Sequence, residues 1–227
     1  VPGHVNNNET IGRRIIRLPM VTNLFNTSSN PSAMQQACSW TFGDDCNDLH
    51  NPVTNQYNTI VCLKHKRRRI YNEYVSKRRA AQTKARSKHY YATHKLEIPE
   101  GDEIPLDEDC PYNNEMLQEL HSDNNGGVPD GDLFFHEGDV ALLAVSLDRA
   151  AGLAKNMRVI IRNLGQYRIQ VQLKNGYLAS IPRVIFKFCP GGMYRQYRVV
   201  RRQFPLIPAY AITAHKAQSQ NINKALL

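Results

Sequence analysis

The feature that most constrains the fold lies late in the chain. An unbroken apolar run, Leu206-Ile207-Pro208-Ala209-Tyr210-Ala211-Ile212, stops at Thr213 and continues as Ala214-His215-Lys216-Ala217-Gln218-Ser219-Gln220. The run is long enough for one buried strand, threonine caps helices well, and the residues after it are compatible with a helix. A strand that feeds a helix puts unpaired backbone N–H groups at the carboxyl edge of a sheet, a position that suits phosphate. Lys216 adds a point charge there, and Thr213, His215, Gln218 and Gln220 add hydrogen-bonding groups. Spacing alone favours an ordinary strand–turn–helix with solvated polar side chains.

Two hundred and twenty-seven residues allow one large or two small domains with a real core. A hydrophobic share of 41% with 11 tyrosines and one tryptophan reads as globular. No apolar run approaches the roughly 20 residues that span a bilayer, so no membrane partner is expected. Val1 in place of methionine reads as a fragment of a longer chain. The five cysteines, Cys38, Cys46, Cys62, Cys110 and Cys189, are odd in number and irregularly spaced, which argues for a reducing compartment and against a disulfide framework. Cys38, Cys46 and His50 fit no usual zinc spacing, and no metal site is expected.

The net charge is +9, and its placement is informative. Residues 64–100 are strongly basic, residues 101–139 contain no lysine or arginine, and residues 140–227 contain a single carboxylate, Asp148. Two basic segments around an acidic one imply a polyanion-binding surface whose parts are joined by an acidic linker.

In chain order, residues 1–12 are polar, Arg13 to Val21 reads as a short strand, and Ser32 to Phe42 as a short helix with Met34, Ala37, Cys38 and Phe42 inward. Thr59 to Leu63 is the continuous apolar run of a strand buried on both faces. Lys64 to about Tyr91 reads as one long basic helix, its stripe of Ile70, Tyr71, Tyr74 and Val75 facing a sheet and Arg67, Arg68, Arg69, Arg78, Arg79 and Arg86 around it. Residues 97–112 are rich in proline and acid; Asp107-Glu108-Asp109 follows no apolar strand and so reads as linker instead of a magnesium box. Asn113 to His121 supports a short helix. From Leu133 onward, short β segments over 139–146, 157–164, 167–173, 177–181, 183–188 and 194–203 suggest a small barrel. Arg158, Arg162, Arg168, Lys174, Arg183, Lys187, Arg195, Arg198, Arg201 and Arg202, with Tyr167, Tyr177, Tyr194 and Tyr197, form the basic-plus-aromatic set that a single-strand groove needs. The tyrosines suit a pleated core equally well.

Arg201-Arg202-Gln203-Phe204-Pro205-Leu206, the apolar strand, then Thr213-x-His215-Lys216-x-Gln218-x-Gln220 resembles the late helicase motif of the petite-integration-frequency (PIF) family of DNA helicases, which includes the Helitron transposon helicases. Ser219 stands where the family has glycine. Gly138-Asp139-Val140-Ala141-Leu142-Leu143, Leu147-Asp148, Gly152 to Val159 and Ile181-Pro182-Arg183-Val184 are similar to further family segments in family order. Lys155-Asn156-Met157 departs from their Asn-Gly-Thr. Asn72 falls where an early second-lobe motif has its second asparagine, with His65 replacing the first. The likeness covers about residues 59–221.

The resemblance implies an α/β fold: a discontinuous RecA-like second motor lobe (52–98 and 204–227) with an inserted small β-barrel (133–203). Residues 99–132 become an acidic linker and short helix, and residues 1–51 the tail of a preceding lobe. Thr213 and His215 are then expected to touch the DNA strand, Lys216 its phosphate, with Arg201, Arg202, Arg158 and Arg183 as further DNA contacts. Gln218, Gln220 and Asn72 are expected on the nucleotide side. No G-x-x-x-x-G-K loop occurs, so ATP and Mg2+ are cofactors of the full-length enzyme, with none bound and no catalytic residue in this segment alone. The expected partners are single-stranded DNA and the missing N-terminal motor lobe, in the nucleus. The alternatives are a non-catalytic single-strand-binding module, such as a transposon remnant, and a protein-interaction barrel docking a basic partner through its acidic segment.

Overall fold

The computed structural model describes residues 31–43, 56–97, 127–189, 198–218 and 220–226. The expected strand at 13–21, the acidic linker with its helix at 113–121, Arg195, Tyr194, Tyr197 and Ser219 lie outside them. In order the elements are α1 (Pro31–Phe42), β1 (Asn58–Cys62), α2 (His65–Thr83), β2 (Ser87–Tyr91), β3 (Thr93–Glu97), β4 (Asp132–His136), β5 (Val140–Leu143), β6 (Arg158–Leu164), β7 (Arg168–Gln172), β8 (Leu178–Pro182), β9 (Val184–Phe188), β10 (Arg198–Gln203), β11 (Leu206–Pro208), β12 (Ala211–Thr213), α3 (Ala214–Ala217) and β13 (Lys224–Leu226). No helix among them is long and apolar enough to cross a membrane.

The apolar run Leu206–Ile212 does not form one strand. Its first half, β11, pairs antiparallel with β5, and its second half, β12, pairs parallel with β1. Between them Ala209 and Tyr210 pass from one sheet to the other, with the Tyr210 carbonyl accepting the Ile60 N–H at 2.9 Å. The parallel sheet has the order β12-β1-β13, and Cys62 is level with Thr213. Parallel neighbours need a crossover, and α2 leaves β1 to cover the sheet. Ala37, Cys38 and Phe42 of α1 pack with Ile60, Val75, Tyr210 and Ile212 in one core. The buried thiol of Cys62 is pushed up to about 11, chiefly by burial, so it packs as a small apolar group.

The long basic helix is shorter than its composition suggests. It stops at Thr83, Lys84 turns left-handed (φ 49°), and Ser87–Tyr91 becomes a strand against β4. Tyr90 decides this: it is buried with its hydroxyl on the Gly165 carbonyl at 2.9 Å, a partner that a helix would not reach. The inward face also differs. Arg68, Asn72, Val75, Ser76, Arg79 and Ala80 are buried, whereas Ile70 is 37% exposed. Two arginines expected at the surface are inside because carboxylates meet them: Arg68 lies 3.5 Å from Asp130, and Arg79 lies 2.9 Å from Asp139.

The strands expected to form a small barrel pair as open sheets among the described residues. One runs β11-β5-β6-β7-β8, a second β3-β10-β9, and β2 pairs with β4. The pairing of β10 with β3 and β9 draws it away from the larger sheet. Pairing therefore crosses the expected boundaries at 98 and 203. Val159, Ile161, Ile169, Val171, Ile181 and Phe204 fill the large core. At the turn where the family has glycine, Asn156 holds φ 68°, a region that asparagine tolerates better than most residues.

Arg158 ties the two halves together. It is 2% exposed, and its Nη1 donates to the carbonyls of Gln56 (2.6 Å) and Ala209 (2.9 Å). Desolvation lowers its pKa to about 10, which leaves it charged at neutral pH. Arg158→Met removes both donations to buried carbonyls. The expected loss is about 2–4 kcal/mol of unfolding free energy by urea titration; a loss below about 0.5 kcal/mol would show that the strut is dispensable.

Candidate nucleic-acid interface

The carboxyl ends of β1 and β12 lie side by side, and each strand leads into a helix: β1 through Leu63 and Lys64 into α2, β12 directly into α3. Neither helix start is capped by a side chain, at Lys64 or at Thr213. Beside this edge is a cavity of about 410 Å³ lined by His65 and Arg68 from α2, Thr213, His215 and Lys216 from the β12–α3 corner, and Lys155 and Asn156 from the turn before β6, with Gly127, Val128 and Ala144 completing the wall. Among the described residues no carboxylate lines it.

The protonation equilibria reflect that crowding. Burial pulls the Lys216 ammonium down to about 8; the charges of Arg68 and Lys155 lower it further and Asp130 partly offsets them. Burial, and then the charges of Arg68, Lys216 and Arg69, pull His65 below its ordinary value. Arg68 is only 4% exposed, its Nε has no hydrogen-bond partner among the described residues, and Asp130 stands at 3.5 Å from its Nη2. Like charges held this close with one orphaned donor make a site that an anion would relax.

Three residues expected at the strand therefore share one cavity: Thr213, His215 and Lys216. The others are placed elsewhere. Arg158 is inside the molecule on carbonyls, as described. Arg201 is fully buried, its Nη1 on the Pro129 carbonyl (2.7 Å) and its Nε on His94 Nε2 (2.8 Å), with the Phe188 ring below. Arg183 is half-buried over Phe204 and donates to the Tyr91 carbonyl at 2.8 Å; Arg202 is exposed. Asn72 clasps Ala211, accepting its N–H at 2.9 Å and donating to its carbonyl at 2.8 Å. Gln220 donates to the Asn156 carbonyl at 2.8 Å, and Gln218 is exposed. Among the described residues no group of three or more His, Cys, Asp or Glu side chains could hold a metal ion.

His65, Arg68 and Lys155 were not assigned to the site from sequence. His65 and Lys155 are two of the positions where the chain departs from the family pattern. The signal for His65 and Arg68 was their placement three apart at a helix start that follows a buried strand.

No family model matches the chain, and no curated protein matches it. Solved structures do. The chain is similar to the Pif1 helicase from Candida albicans, with 13% identity and a TM-score of 0.50 over 86% of this chain and 43% of that one. It also matches a Pif1 helicase from Bacteroides at 18% identity and a TM-score of 0.47, covering 90% of this chain and 40% of that one. A Bacteroides Pif1 bound to ssDNA matches at 16% identity and 0.47, over 83% and 40%. The likeness is one of fold, and the chain spans about two-fifths of the length of these helicases.

Proposed function

We propose that this chain is the second motor lobe of a PIF-type DNA helicase and that it holds single-stranded DNA by its backbone. The observation that carries the reading is the cavity at the carboxyl edge of β1 and β12, where Thr213, His215 and Lys216 meet His65, Arg68 and Lys155. In this reading the orphaned Arg68 Nε, Lys155 and Lys216 take phosphate oxygens, and Thr213 orients the corner between them. Translocation driven by ATP with Mg2+ belongs to the full-length enzyme, in which this lobe would face an N-terminal motor lobe. Asn72 and Gln220, expected beside a nucleotide, have their amides committed to Ala211, Asn156 and Arg158 in this chain. That commitment also favours a second reading, a strand-binding module with no motor of its own.

The test is fluorescence anisotropy of a labelled oligodeoxythymidylate against salt. Lys155→Ala with Lys216→Ala is expected to reduce the slope of log affinity on log salt by about 1.4, two single-strand phosphate contacts. An unchanged slope would remove the cavity from the interface. An N-terminal extension that confers strand-stimulated ATP hydrolysis separates the motor lobe from the stand-alone module.

A further inference from the structure

A second basic concavity lies at the opposite end of α2. It encloses about 360 Å³ where the helix end, the turn into β2, the β4–β5 turn and β6 meet, and it is lined by Arg79, Lys84, Arg86 and Arg162 against one carboxylate among the described residues, Glu137. Lys84 and Arg86 are exposed and form no ion pair among the described residues. Arg162 rests on a neutral partner, Gln172 Oε1 at 2.8 Å from its Nε, so its charge is uncompensated. The frame is fixed: the Glu137 N–H donates to the Arg86 carbonyl at 2.9 Å, and Gly138 (φ +87°) leaves room for the Arg79 guanidinium, whose Nη1 would stand 2.5 Å from a Cβ there. Arg79 in turn is buried and anchored on Asp139, so the floor of the concavity does not move with the rim.

We infer that this concavity is a second phosphate-binding site, which takes the backbone of a nucleic-acid strand that extends beyond the first cavity. It rests on the strand-binding reading above. From His65 to Arg79 along α2 is about 21 Å at 1.5 Å per residue, or roughly six steps of a stacked strand at 3.4 Å. A strand of about three nucleotides is too short to bridge them and fills one site, and a strand of about 20 reaches both.

The experiment uses the full chain and the double variant Lys84→Gln, Arg86→Gln, whose side chains lie outside the core. Labelled 3- and 20-nucleotide oligodeoxythymidylates are titrated at several salt concentrations, and inorganic pyrophosphate is followed by NMR at the Gly138 amide. The variant is expected to bind the 20-mer about two- to thirtyfold more weakly, with the salt slope reduced by about 1.4, and the 3-mer as the parent does. Equal loss with both lengths, or no loss with either, overturns the strand assignment. A pyrophosphate shift at Gly138 that the variant abolishes, with 20-mer binding unchanged, reassigns the site to free phosphate and also overturns it. If the parent chain binds neither oligonucleotide, the proposed function fails; a Gly138 response to pyrophosphate then keeps the site as a phosphate site, and its absence ends the inference.

Discussion

Asp139→Asn is expected to lower the unfolding free energy by about 3–5 kcal/mol, the usual cost of leaving one member of a buried ion pair alone. Asp139 is 3% exposed and is the acceptor for an entire polar cluster. Its Oδ1 takes Arg79 Nη2 (2.9 Å), Arg79 Nε (3.3 Å) and the Tyr210 hydroxyl (3.1 Å); its Oδ2 takes the Ser76 hydroxyl (2.7 Å) and the His136 N–H (2.8 Å). Asparagine keeps the shape, removes the charge opposite Arg79 and turns one acceptor into a donor facing donors. Burial alone would raise the Asp139 carboxyl; the His136 hydrogen bond, the Arg79 charge, the His136 backbone N–H and Ser76 outweigh it and hold the carboxyl below its ordinary value. A depressed folded-state value means the stabilisation is fully present above the unfolded value of about 4 and is lost as pH falls through the folded one. Urea titrations between pH 7 and pH 2 should therefore show a parent chain that loses stability on the acid side and a variant with less to lose. A variant within about 1 kcal/mol of the parent at pH 7, or one with the same acid limb, would mean that the cluster is not what holds α2 on β5.

The second large effect is functional and comes from Lys216. A charge-assisted contact to phosphate contributes about 1.5–3 kcal/mol, so Lys216→Gln is expected to weaken single-strand binding by about 10- to 150-fold at pH 7. Its ammonium titrates near 8 in the unliganded chain, chiefly because it is buried and then because Arg68 is close. The protonated form exists below that value and is the form that attracts phosphate. Affinity is thus expected to fall as pH rises through 8, with the midpoint displaced upward in the complex because a bound phosphate favours the proton. Lys216→Arg should restore binding and flatten the profile, since guanidinium keeps its charge throughout. Anisotropy titrations from pH 6.5 to 9.5 check this; a parent profile that is level across that range would contradict the placement of Lys216 against the backbone.

Local order was legible in the sequence wherever one principle acted alone. The buried strand β1, helix α1 with Ala37, Cys38 and Phe42 inward, and the alternating strands β7 and β8 follow from periodicity. Long-range pairing was not. Ser87–Tyr91 carries lysine, histidine and tyrosine in a pattern that suits the end of a basic helix, and only β4, more than 40 residues later, makes it a strand. The division of Leu206–Ile212 was hidden for the same reason: seven apolar residues satisfy either sheet, and the pairing of Ile207 with Leu142 and Ile212 with Val61 decides where the chain crosses. The site was half legible. Thr213, His215 and Lys216 were found together because they are adjacent in sequence. Arg68 was hidden among neighbouring arginines, since composition does not say which of them a distant Asp130 will draw inside. Arg158 and Arg201 show the converse, strong cations that resemble surface contacts in sequence and act as internal braces in the fold.

The clasp of Asn72 on Ala211 has one more consequence. Among the described residues Ala211 lies at the rim of the parallel sheet, and its N–H and C=O point away from β1, the direction in which a further strand would join. One carboxamide occupies both groups and serves as a one-residue counterfeit of that strand. Recruitment of a foreign chain by edge-to-edge growth is thereby blocked at the point where the rim would otherwise be most inviting.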